Sequence, residues 1–110
     1  MARAGRVRRA MFPVLGSATS AVRAYSRGLL VSAHNIANSV TEDYHPQGVI
    51  YESTPTGGVT ARVETRQEVD GVDLAEETVQ MISSQRAIEA NLAVARASDK
   101  TLGILLDTFV

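Results

Sequence analysis

The chain is 110 residues long, 45% hydrophobic and 21% charged, which is enough for one modest domain and too apolar for a wholly disordered chain. It has no cysteine, which excludes disulfide staples, zinc-thiolate sites and thiol nucleophiles. The formal charge of −1 conceals a start that holds four arginines and no acid, and the acidic balance of the remainder excludes a general nucleic-acid footprint.

Residues 1–10 read as a flexible basic leader, with Met11 an alternative start. The apolar run Met11 to Leu15 that follows is too short for a cleaved signal and is broken by Pro13, Gly16 and Ser17. No window approaches the roughly 18 apolar residues of a membrane span.

An N-terminal helix is expected within residues 11–40. Its seam steps by three and four through Leu15, Ala18, Val22, Tyr25, Leu29, Ser32 and Ile36, with Ala21, Ala33 and Ala37 on the flanks. Gly16 and Gly28 each cost such a helix about 1 kcal/mol relative to alanine, so it needs a partner to pack on. Near its end, Asn35 and Asn38 lie three apart on one face, where their carboxamides can donate and accept to tie down the following turn.

Residues 41–72 read as a loop with a small β-hairpin. Gln47 to Glu52 and Val59 to Thr65 are strand-like, and the second alternates Val59, Ala61 and Val63 against Thr60, Arg62 and Glu64. Ser53 to Gly58 is turn chemistry between them. A two-stranded hairpin is marginal in water, so it must lean on the helices or on a neighbouring molecule.

A C-terminal helix is expected over residues 73–110. Asp73 with Glu76 three residues later is a capping-box pattern with Asp in the Ser/Thr slot. Every seventh residue from Leu74 gives Met81, Ile88, Ala95, Leu102 and Phe109, with companions Thr78, Gln85, Leu92, Asp99 and Leu106. Val79, Ile82, Val94, Ile104 and Leu105 lie beside this seam, more apolar surface than two helices can bury against each other. Further chains are the expected cover.

Catalytic and metal chemistry finds no footing. His34 and His45 are the only histidines and neither has a second ligand at a metal spacing. No serine or threonine sits in a glycine-flanked elbow, and no glycine loop cradles phosphate. Glu76, Glu77, Glu89 and Asp99 read as a solvated helix face, not as a carboxylate pair. No enzyme, cofactor, metal site or small-molecule substrate is expected.

The two ends together resemble the bacterial flagellar basal-body rod and hook (axial) protein family. The N-terminal stretch Ser32 to Tyr44, with Asn35-Ile36-Ala37-Asn38 followed by Thr41-Glu42-Asp43-Tyr44, is similar to that family's signature. The C-terminal similarity is carried by Val72 to Glu77, Met81-Ile82, Gln85-Arg86-Ala87, Glu89-Ala90-Asn91, Ala97 to Lys100, Leu102 and Leu105-Leu106. Two departures stand out: Asp43 occupies a usual glycine position, and Ile88 replaces the aromatic residue common after Arg-Ala.

The resemblance implies a mainly α fold in which two long antiparallel helices form a coiled-coil hairpin with a short β-hairpin connector. It further implies a structural subunit of the periplasm-spanning rod, exported from the cytoplasm by the flagellar type III apparatus. Its partners would be itself and other rod and hook subunits. Leu15, Val22, Tyr25, Leu29 and Ile36 would then meet Leu74, Met81, Ile88, Leu92, Leu102 and Leu106 within or between subunits, and Arg86 and Glu89 would steady one helix or make a subunit contact. The rival reading is a helical-hairpin binding module that sequesters a partner's amphipathic helix in a one-to-one complex.

Overall fold

A computed structural model describes residues 2–69 and 71–109. The element order is α1 (Ala2–Ala37), β1 (Gln47–Ser53), β2 (Val59–Thr65) and α2 (Leu74–Phe109). Each helix has 36 residues, so the chain is mainly helical, and among the described residues no helix is long and apolar enough to cross a membrane.

Helix α1 begins well before the expected start. The basic stretch read as a flexible leader is helical from Ala2 onward, because alanine and arginine are good helix formers. Pro13 lies inside the helix and forgoes one backbone bond, since its nitrogen carries no hydrogen. At the other end, the Asn38 backbone N–H and its Nδ2 both donate to the His34 carbonyl, at 3.1 and 2.9 Å. The Thr41 hydroxyl donates to Asn38 Oδ1 at 3.2 Å. The chain then turns through Asp43, whose φ of 57° lies in the left-handed region.

The strands pair antiparallel with Val49 opposite Val63 and Tyr51 opposite Ala61. Their turn is closed by the Gly57 N–H donating to the Thr54 carbonyl at 3.0 Å, and Gly57 takes a φ of 90° that side chains rarely allow. The hairpin lies along α1, as its marginal size requires. The Val59 N–H donates to Ser20 Oγ at 3.0 Å, Arg27 donates to the Ala61 carbonyl at 3.3 Å, and the Tyr25 and Tyr51 rings sit 4.9 Å apart. Tyr25, placed in the helix seam by its spacing, therefore packs against β1.

Helix α2 starts at the expected cap. Asp73 Oδ1 accepts from the Ala75 and Glu76 N–H groups at 3.0 and 3.2 Å, which satisfies donors left over at a helix N-terminus. The helix runs back along α1, with Glu77 beside Asn35 and Ser84 beside Gly28. Small residues line the contact: Ala18, Ala21, Ala24, Gly28, Val31 and Ser32 are buried on α1, and Ser84 and Ser98 on α2.

This buried line falls one position before each expected seam. On α1 it is Ala21, Ala24, Gly28, Val31 and Asn35, while Leu15, Val22, Tyr25, Leu29 and Ile36 are half-buried beside it. On α2 the Met81, Ile88, Ala95 and Leu102 column is half-buried. Its inner companions are Glu77, Ser84, Asn91, Ser98 and Leu105, and Thr78, Gln85, Leu92, Asp99 and Leu106 are exposed. Interaxial distance depends on side-chain size at the contact, so a column of Ala, Gly and Ser brings the helices close and leaves the bulky columns on the flanks.

The molecule measures 63 × 23 × 14 Å with a radius of gyration of 18.6 Å, against about 13 Å for a compact chain of this length. It exposes 7698 Å², where a compact monomer of the same mass exposes about 5,900 Å².

Candidate functional site

Where α1, the loop, β1 and α2 converge, one side chain holds them together. Asn35 is fully buried at 0% exposure, and all four hydrogen-bonding positions of its amide are used. Its Oδ1 accepts from the Tyr44 hydroxyl at 2.7 Å and from the Gln47 N–H at 2.8 Å. Its Nδ2 donates to the Gln47 carbonyl at 2.8 Å and to Glu77 Oε1 at 2.9 Å. Because the Gln47 N–H can only donate and its carbonyl only accept, the orientation of the amide is fixed.

Glu77 is buried with it, at 5% exposure. This corrects the reading of Glu77 as part of a solvated face; Glu76, Glu89 and Asp99 are exposed as expected. The tertiary fold brings an amide donor to it across 42 positions of sequence, which helical spacing alone does not reveal. The Tyr44 phenol is held above its ordinary value by burial and, secondarily, by the Glu77 carboxylate. Asn38 stays outside this network and serves the helix end.

The histidines are exposed and engaged locally. His34 sits edge-on to Tyr44 with centroids 5.7 Å apart, and His45 Nδ1 lies 3.1 Å from the Arg66 carbonyl. Among the described residues no group of three or more His, Asp and Glu could hold a metal ion. A small cleft of about 110 Å³ opens beside the network, with Gly28, Gln47, Tyr51, Arg66 and Glu77 in its walls. That is below the ~300 Å³ at which small-molecule sites begin.

Elsewhere the surface carries a set of exposed large apolar side chains. Leu30 on α1 and Leu74, Val79, Ile82, Leu92, Val94, Ile104 and Leu106 on α2 are all exposed. Arg86 and Glu89 are exposed on α2, and Asn91 is half-buried, with its Nδ2 donating to the Ala87 carbonyl at 2.8 Å.

Residues 64–108 match the family model described as flagellar basal body rod FlgEFG protein C-terminal. Through this segment the chain is similar to the C-terminal part of flagellar basal body rod proteins. The match takes in the end of β2 and nearly all of α2, about two fifths of the chain, and the N-terminal stretch Ser32 to Tyr44 lies outside it. No curated protein matches the chain.

Proposed function

We propose that the chain is a structural subunit of the flagellar basal-body rod that polymerises through its paired terminal helices, packed as an antiparallel coiled coil. In this reading it leaves the cytoplasm through the flagellar type III apparatus and joins the periplasm-spanning rod. The observation that carries the proposal is the arrangement of the helix pair: mostly small residues lie between α1 and α2, and the large apolar ones are half-buried on the flanks or exposed. The chain exposes about 1,800 Å² more than a compact monomer would, comparable to the ~1,600 Å² of a standard interface.

Neighbouring copies would cover Leu15, Val22, Leu29 and Ile36 from one side and Leu74, Met81, Ile82, Ile88, Leu92, Leu102 and Leu106 from another. Arg86, Glu89 and Asn91 would lie at the rim of such contacts. Burying the exposed part of one of these leucines contributes roughly 1–2 kcal/mol, and a carboxylate in its place has to be desolvated without a partner.

Light scattering over a concentration range, with helicity followed by circular dichroism, tests the reading. The wild-type chain should grow into large assemblies, and Leu92→Asp and Ile82→Asp should each stop that growth with helicity retained. Assembly undiminished in both variants refutes it, and so does a wild-type chain that only forms one-to-one complexes with a foreign helix.

A further inference from the structure

Charge is sorted along the length of this molecule. Helix α1 carries six arginines and no acid, while residues 38–77 carry nine acids and two arginines, and residues 78–110 are balanced. Arg6 and Arg9, in the first turns of α1, are exposed at one end of the molecule. Glu42, Asp43, Glu68, Asp73 and Glu76 are exposed at the other, about 45 Å away at 1.5 Å per helical residue. The separation is several Debye lengths at physiological salt, so the two groups do not stabilise each other within one chain.

Asp73 and Glu76 serve the α2 N-terminus, but no ion pair among the described residues accounts for Arg6, Arg9, Glu42 or Glu68. Among the described residues the ion pairs are those of Arg62 with Glu52 and Glu64, and neither end takes part. The arginines also stand at the positive end of the α1 dipole, where cations are unfavourable. Each end shows apolar side chains within its charged rim: Phe12 and Val14 at the basic end, and Val40, Val69 and Leu74 at the acidic end, with Val40 95% exposed. An apolar centre with a charged rim is the anatomy of a protein interface.

We infer that successive copies of this chain join head to tail, the basic start of α1 in one copy seated on the acidic loop and α2 start of the next. The occupant of each end is a second copy because one surface complements the other in charge and both are present on every molecule. A heterologous contact of this kind generates an open filament wherever its rotation does not close into a ring. The inference rests on the polymerising role proposed above and assigns the polarity of the contact.

Charge reversal in the full chain tests it. Arg6→Glu with Arg9→Glu takes the basic start from four net positive charges to none, and Glu42→Lys with Glu68→Lys weakens the acidic end. Each double variant alone should need at least about tenfold more protein than wild type to assemble, and wild type itself should show a similar rise between about 20 and 300 mM salt. The arginine variant should keep or gain helicity, since its new acids suit the helix dipole, so lost assembly would not be lost folding.

Assembly that ignores salt and both variants overturns the head-to-tail contact and leaves the apolar polymerisation standing. Arginine-variant assembly unchanged, but with loss of binding to vesicles of anionic lipid, would assign the basic end to a membrane surface instead. A wild-type chain that never self-associates at any salt overturns both readings together.

Discussion

Replacing Asn35 by aspartate is the sharpest test of how this fold is held. The change preserves shape and keeps the Oδ1 acceptor used by Tyr44 and the Gln47 N–H. It removes the donor that serves the Gln47 carbonyl and Glu77, and sets a second carboxylate about 3 Å from the first in a site with 0% exposure at position 35 and 5% at position 77. A buried group left unsatisfied costs about 1–3 kcal/mol, and an unpaired buried charge about 3–5 kcal/mol. The sum of such effects exceeds half the stability expected for a chain of this size at its lower bound, about 5 kcal/mol. Asn35→Asp should therefore lose roughly 3–5 kcal/mol in urea unfolding followed by circular dichroism. Glu77→Gln alone should cost about 1 kcal/mol, because Asn35 can still donate to the new amide oxygen. In the double variant the amide introduced at position 77 can donate to the carboxylate introduced at position 35, and about half of the loss should return. An Asn35→Asp chain within about 0.5 kcal/mol of wild type, or one indifferent to the second change, would refute the network as the clasp between the helix ends.

A Cβ on Gly28 would overlap the Tyr51 hydroxyl and stand 3.2 Å from its Cζ, so Gly28→Ala should destabilise by about 1–3 kcal/mol in the same unfolding assay, whereas Gly16, with nothing within 4 Å of its Cβ position, should gain up to about 1 kcal/mol as alanine. Asp43→Gly should raise stability by about 1 kcal/mol, since the φ of 57° suits glycine better than aspartate; an unchanged or lower melting temperature would count against strain at that turn. The folded chain holds the Tyr44 proton more tightly than the unfolded one, so this contribution to stability is complete below about pH 10 and is lost as pH rises through the higher folded value. Tyr44→Phe should cost about 0.5–1.5 kcal/mol at neutral pH and flatten the alkaline fall in a stability-against-pH series.

The elements themselves were legible because their local signals agree. Asp73 caps α2, the alternation of Val59, Ala61 and Val63 makes β2, and Pro55 and Gly57 turn the hairpin. The contact column was harder to read. A three-four repeat has the same period at every heptad position, so counting large apolar residues selects the bulkiest column, here Leu15 to Ile36. The column between the helices is instead the one with the smallest side chains, Ala21, Ala24 and Gly28. Asn35 was recognisable as a candidate to pin the turn, but its partner Glu77 was not, because nothing in the spacing of α2 separates one glutamate from its neighbour. Gly28 looked like a cost to the helix, and only the position of Tyr51 shows what its missing side chain permits.

The same arrangement bears on why this chain would favour assembly over folding alone. A helix pair that placed its leucines inward would spend them on its own stability and present a polar exterior. Here the inner seam is mostly Ala, Gly and Ser, each of which offers little apolar area to bury, so close approach and the Asn35 network do much to fix the register of the two helices. The leucines and isoleucines that would otherwise form a core remain available at the surface. In the proposed polymer their further burial would come only when copies meet, which would couple the ordering of each subunit to its place in a larger array.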